Sequence, residues 1–124
     1  MALDTSALMA PVERDLRLFD ELDRLLGAYD LVVPQAVVGE LDELAASAGG
    51  AAAKAARVGA DLAERAVAVG TATDAADDAV VELAETGAAD YVATMDRPLA
   101  ERVLVAGVPA VTERGQHTLE VIHP

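Results

Sequence analysis

Four carboxylates stand in apolar surroundings. Asp4 follows Met1-Ala2-Leu3, and Glu40 lies among Val37, Val38, Leu41 and Leu44. Asp77 shares a helical face with Val80, Val81 and Ala84, and Asp96 closes the strand-like run Tyr91-Val92-Ala93-Thr94. Asp and Glu are rarely buried without a partner. A set drawn together from four distant segments would share a cation, for which a divalent metal is the natural candidate. Each residue also has a plain structural reading. Asp4-Thr5-Ser6 reads as a turn or a helix cap, and Asp96 before Arg97-Pro98 reads as a cap. Glu40 borders the packed face of its helix, so it pairs with an Arg or binds metal. Glu43 and Asp42 fall on the solvent side.

Asp77 and Asp78 separate on a helical wheel. Asp77 lies with Val80, Val81 and Ala84, whereas Asp78 points with Glu82 and Glu85. Asp77 is the inward candidate. Asp78 reads as a first-turn acid favouring the helix dipole, with a metal contact through water as its other role. Asp74 reads as the cap of the same helix.

The elements that must position these groups alternate. Met1–Leu3 reads as a short strand and Glu13–Leu26 as a helix with Leu16, Phe19, Leu22 and Leu26 on one face. Leu31–Val33 reads as a strand ended by Pro34, followed by a helix to about Ala48. Gly49-Gly50 breaks it, and Ala52 to about Arg65 forms an Ala-rich helix. Val67–Thr71 suits an edge strand, Ala75–Thr86 a helix, Asp90–Thr94 a strand, Pro98–Ala106 a helix and Val108–Val111 a strand. Leu119–Ile122 is a candidate last edge strand. This order predicts a single α/β domain over residues 1–124, a three-layer α/β/α sandwich with a mostly parallel sheet of about five strands. Ligands of such sheets gather beyond the carboxyl ends of the strands, which is where Asp4 and Asp96 fall.

Composition bounds the rest. The chain carries 22 Asp+Glu against 9 Lys+Arg, a net charge of −13, and no cysteine. Disulfides, thiolate nucleophiles and zinc-thiolate sites are excluded. No run is long enough to span a membrane, and no signal peptide is evident, so a cytoplasmic protein is expected. An acidic chain argues against a polyanionic partner unless a cation mediates. An acidic, lysine-poor surface is also what a halophilic cytoplasm favours, since molar salt shortens the Debye length to ~3 Å. His117 and His123 lack a Ser or Cys partner in a recognisable motif. No phosphate-binding glycine loop or zinc spacing occurs.

The order of the acidic segments is more specific than any one of them. Asp4-Thr5-Ser6-Ala7-Leu8 ends a strand, and Glu40 follows a Val-Pro step. Ala76-Asp77-Asp78-Ala79-Val80-Val81-Glu82-Leu83-Ala84 opens a helix, and Thr94-Met95-Asp96-Arg97-Pro98-Leu99 leaves a strand. Over essentially the whole chain this resembles the PIN-domain nucleases, in particular short archaeal single-domain members of the VapC type. The resemblance implies an Mg²⁺- or Mn²⁺-dependent ribonuclease with an acidic quartet at Asp4, Glu40, Asp77 and Asp96. Asp4, Asp96 and Asp77, with Asp78 in reserve, would be the metal ligands; Ser6 and Thr94 would order the site. Two departures stand out: Met95 occupies a position that is often Asn, and the first strand is clipped to three residues. Arg97, Arg102 and Arg114 are candidates for phosphate contacts. RNA is the expected substrate, with a small antitoxin or a second copy as candidate protein partners. A non-catalytic module on the same fold is the competing function. A response-regulator-like fold would need a lysine on a later strand, but Lys54, the one lysine, sits in the Ala-rich helix.

Overall fold

The computed structural model describes residues 1–124. In chain order it has β1 (Ala2–Leu3), α1 (Thr5–Glu13), α2 (Leu18–Leu26), β2 (Val32–Pro34), α3 (Gln35–Ser47), α4 (Gly50–Ala63), β3 (Val67–Val69), α5 (Ala76–Glu85), β4 (Val92–Ala93), α6 (Arg97–Val105), β5 (Ala110–Glu113) and β6 (Leu119–Ile122). The six strands form one sheet in the order β3-β2-β1-β4-β5-β6. Five are parallel, and β6 returns antiparallel to β5. The expected mostly parallel α/β sandwich is therefore present, with one antiparallel strand at its edge.

The strands are short but dry. Ala2, Leu3, Val33, Val92, Ala93, Ala110 and Val111 are fully buried, as befits a sheet covered on both faces. Strand order reverses direction between β1 and β4, and crossovers leave that pair toward opposite sides. In open α/β sheets this switch point is where a crevice forms outside the strand ends. Asp4 follows β1 directly, and Asp96 lies three residues beyond β4.

Three local expectations need correction. The helix expected over Glu13–Leu26 begins only at Leu18, and a separate helix precedes it over Thr5–Glu13. Residues 5–13 are already helical although Pro11 lies inside, and the chain breaks at Asp15, whose φ is +49°. Pro11 removes only one donor, late in the helix, while Ala7, Leu8, Met9 and Ala10 are buried along it. Apolar burial outweighs the loss. Asp74 does not cap α5: the N-cap is Ala75, and no side chain caps it. Thr73 Oγ1 instead accepts from the Ala75 N–H at 3.2 Å. Finally, β4 shrinks to two residues; the Thr94 N–H still bonds the Val111 carbonyl oxygen at 2.9 Å, while its side chain joins the site described next.

Candidate functional site at the β1–β4 switch point

Asp4 is the N-cap of α1. Its Oδ1 accepts from the Ala7 N–H at 2.8 Å, a local bond dictated by an Asp preceding a helix. Its side chain is nevertheless at the centre of a longer network. Ser6 Oγ lies 2.9 Å from both carboxylate oxygens, and Thr94 Oγ1 donates to Oδ2 at 2.7 Å. Ser6 Oγ in turn accepts from the Met95 N–H at 2.9 Å, and Thr94 Oγ1 accepts from the Asp96 N–H at 3.0 Å. Two hydroxyls thus staple the end of β1 to the end of β4 around one carboxylate. Asp4 is only 3% exposed. Burial pushes its carboxyl up to about 6, although the Ala7, Thr94 and Ser6 bonds pull the other way. Beside it, Thr5 Oγ1 is buried without a hydrogen-bond partner.

Asp96 repeats the pattern. It is the N-cap of α6, and its Oδ1 accepts from the Leu99 N–H at 3.2 Å. Its other oxygen takes no protein donor. Both strand-end acids are therefore caps, as their plain structural readings held, yet each stands at the switch point.

Glu40 and Asp77 come from outside the sheet. Glu40 is half-buried on α3, and Asp77 is in the first turn of α5. Together they line a cleft of about 430 Å³. Neither accepts a hydrogen bond from the protein. Asp77 is exposed, not inward as its wheel position suggests, because the first turn of α5 is open to water. Even so, its carboxyl is raised, first by partial desolvation and then by the charges of Asp96 and Glu40. Asp77 adds a smaller push on Asp4. The four acids thus act on one another, although Asp4 and Asp96 are not on the cleft wall.

Asp78 is separated from this group. It bonds Arg102 at 2.7 Å, so its charge is already met. Sequence reasoning missed two further acids. Glu43, read as solvent-facing, and Asp74, read as a cap, both line the cleft with Glu40 and Asp77. Glu43 lies one turn beyond Glu40, and that i, i+3 spacing could have flagged it.

The arginines divide. Arg102 is tied to Asp78 and weakly offsets the charge at Asp77. Arg97 follows Asp96, is exposed, and makes no ion pair. Arg114 faces Glu120 at 3.7 Å across the β5–β6 hairpin. His117 stands apart from the cleft: its Nδ1 lies 2.9 Å from the Asp15 carbonyl oxygen and 3.1 Å from that of Arg14. Both partners can only accept, so that nitrogen carries the proton.

The donor set is all oxygen, the kind that hard cations such as Mg²⁺ or Mn²⁺ accept. Both oxygens of Glu40 and Asp77 and one of Asp96 are free of protein donors, and their mutual repulsion is what a bound cation relieves. The residues fit such an ion in chemistry, though no three of them are gathered closely enough to hold one as they stand. No helix is long and apolar enough to cross a membrane.

Comparison with known proteins bears on what the cleft does. The sequence model of a family described as a PIN like domain matches residues 1–116. The solved structure of the PIN domain endonuclease Utp24 is similar over 99% of this chain and 90% of its own, with a TM-score of 0.77 and 25% sequence identity. A UPF0178 protein of Xanthomonas oryzae pv. oryzae is 52% identical over 52 residues, which is 42% of this chain. One from Xanthomonas campestris pv. campestris is 50% identical over the same length. The matched stretch spans only 31% of these relatives' length.

Proposed function

The chain belongs to the PIN-like domain family, and on that premise we propose that it is a metal-dependent endoribonuclease. Asp4, Glu40, Asp77 and Asp96 are its acidic centre, and Mg²⁺ or Mn²⁺ its cofactor. The observation that carries this reading is geometric: Asp4 and Asp96 close β1 and β4 at the switch point, and Glu40 and Asp77 line one cleft with no protein donor to either. An ordinary structural role would pair these charges with arginines, as Asp78 is paired.

A hard divalent cation, when bound, supplies charge neutralisation and water activation for phosphodiester hydrolysis. The protein's own groups do the rest. Asp77 on the cleft wall and the free oxygen of Asp96 at the start of α6 are the open ligands, and Glu40 holds or orients water from α3. Asp4 anchors the centre from below, its orientation fixed by Ser6, Thr94 and Ala7. Arg97, free of any carboxylate, is placed to meet a phosphate, and Arg102 does so by releasing Asp78. Asp78 is a ligand only after that release. Arg114 is a remoter phosphate contact.

Toxin and RNA-processing roles share this chemistry. A toxin would be neutralised by a small antitoxin or act as a homodimer, and a neighbouring reading frame distinguishes the two roles. One observation favours a non-catalytic binding module instead: the carboxylates are not gathered into a ready cage. The deciding experiment is cleavage of labelled single-stranded RNA with Mg²⁺ or Mn²⁺, in dilute buffer and in molar KCl. Cleavage abolished by EDTA and by Asp96→Asn supports the nuclease. Cleavage unaffected by either rejects it, and no cleavage in any condition favours the module.

A further inference from the structure

Four of the nine basic side chains are spent on carboxylates: Arg14 on Glu113, Arg24 on Glu21, Arg102 on Asp78 and Arg114 on Glu120. The other five are Arg17, Lys54, Arg57, Arg65 and Arg97. Arg97 follows Asp96 at the start of α6. The remaining four are together on one outer strip. Lys54, Arg57 and Arg65 are spaced three and eight residues apart, so they follow one face of α4 and the turn after it. That face is opposite Ala56, Gly59 and Ala63, which are buried against the body. Arg17 lines the same surface depression as Arg65 and Phe19, and the Arg65 guanidinium carbon sits 4.5 Å over the Phe19 ring.

The strip is level with the acidic centre at one end. Gly59 of α4 is against Leu8 of α1, and Leu62 and Arg65 share a depression with Pro11, just before the end of α1. The two helices therefore run side by side in the same direction. At about 1.5 Å per residue, Lys54 lies about 7.5 Å up from Gly59 and Asp4 about 6 Å up from Leu8. Lys54 is thus at the height of Asp4, and the strip descends about 16 Å to Arg65. Asp61 lies on the same face between Arg57 and Arg65, and Asp20 and Glu64 are beside it, so the strip has four basic residues against three acidic ones. Elsewhere the chain has five against nineteen.

We propose that the outer face of α4, through Lys54, Arg57, Arg65 and Arg17, binds the phosphate backbone of single-stranded RNA outside the segment being cut. The inference rests on the nuclease reading for its partner but not for its geometry. In a chain this acidic, a cation without an ion pair forgoes abundant local partners, and these four form an extended cationic track that starts level with Asp4. Without a bound cation the acidic centre repels RNA, so a second cationic surface would add to the affinity that Arg97 supplies.

The test is binding of a labelled single-stranded oligoribonucleotide by fluorescence anisotropy in EDTA, where no metal-dependent cutting intervenes. Lys54→Gln/Arg57→Gln is compared with Arg14→Gln/Arg24→Gln, which loses the same charge from paired positions. Gln keeps helix propensity close to Lys and Arg, and circular dichroism checks that both variants are folded. The strip variant should bind about tenfold more weakly at about 50 mM salt, with the slope of log K against log salt reduced by about 1.4. The control should change little. Equal loss in both variants, loss in neither, or no binding by the wild type overturns the proposal, as does binding to anionic lipid vesicles but not to RNA. A strip effect without cleavage under Mn²⁺ rejects only the nuclease. Cleavage with a silent strip rejects only this surface.

Discussion

Thr94 Oγ1 donates a 2.7 Å hydrogen bond to Asp4 Oδ2 across ninety positions of sequence. It is a charge-assisted bond to a buried carboxylate, the kind whose loss leaves an uncompensated polar group. The same hydroxyl accepts from the Asp96 N–H. Thr94→Val should therefore destabilise the protein by about 2 kcal/mol in urea denaturation, while Thr94→Ser should recover most of that. A Val variant as stable as wild type would show that the bond does not hold the two strand ends.

The buried carboxyl of Asp4 sets a pH dependence whose sign is unusual for an acid. Its folded-state value is raised from 3.8 to about 6. Between these values the folded protein keeps a proton that the unfolded chain has released, so stability falls as pH rises through the window. The full cost, about 3 kcal/mol, is present above pH 6. Asp4→Asn keeps a capping oxygen but has no charge to bury. In EDTA it should be more stable than wild type at pH 8 and indistinguishable below the unfolded-state value. A gain that is the same at both pH values would reject burial as the cause.

Adjacent acids on α5 should behave differently. Asp78 is in an exposed ion pair, worth at most about 1 kcal/mol. Asp78→Asn should leave both the melting temperature and its rise with Mn²⁺ nearly unchanged. Asp77→Asn should abolish the rise, because a ligand that binds only the native cluster stabilises it. Glu13→Gln, which removes one exposed charge far from the cleft, is the control; Glu43→Gln is not, since Glu43 lines it. Equal responses from the Asp77 and Asp78 variants would sink the assignment.

Gly59 is fixed by contact rather than by backbone conformation. A Cβ there would meet the Leu8 carbonyl oxygen at 3.0 Å and Leu41 Cδ2 at 3.1 Å. Backbone cannot yield as a flexible side chain does, so α1 and α4 would have to part. Gly59→Ala should cost about 1–2 kcal/mol despite the roughly 1 kcal/mol helix preference of Ala. A stabilised variant on thermal melting would contradict the close approach.

The alternation of elements was legible because strand and helix periods are local. The apolar runs at Val32 and Val92 and the Gly breaks at Gly49 and Gly107 carry it. The helix at Thr5–Glu13 was not, since its stability comes from burial against α4, an element more than forty residues away. The sequence marked four acids as misplaced; Asp4 and Asp96 stand at the strand ends it pointed to, and Glu40 and Asp77 share a cleft. The division of Asp77 from Asp78 was only half legible: the wheel distinguished them, but Arg102, which removes Asp78, comes from another helix. Glu43 and Asp74 were hidden because nothing local shows that α3 and the loop before α5 face one another.

Asp4 and Asp96 each cap a helix with one oxygen and leave the switch point its charge. Replacement by Ala would take away cap and charge together, so it would be purged as a folding defect. Asn keeps the cap, and a single-base change in either Asp codon yields Asn. On the nuclease reading, a silent but well-folded descendant is one mutation from an active ancestor. Asn at position 4 or 96 is where gene copies that have kept the scaffold and abandoned the chemistry should be recognised.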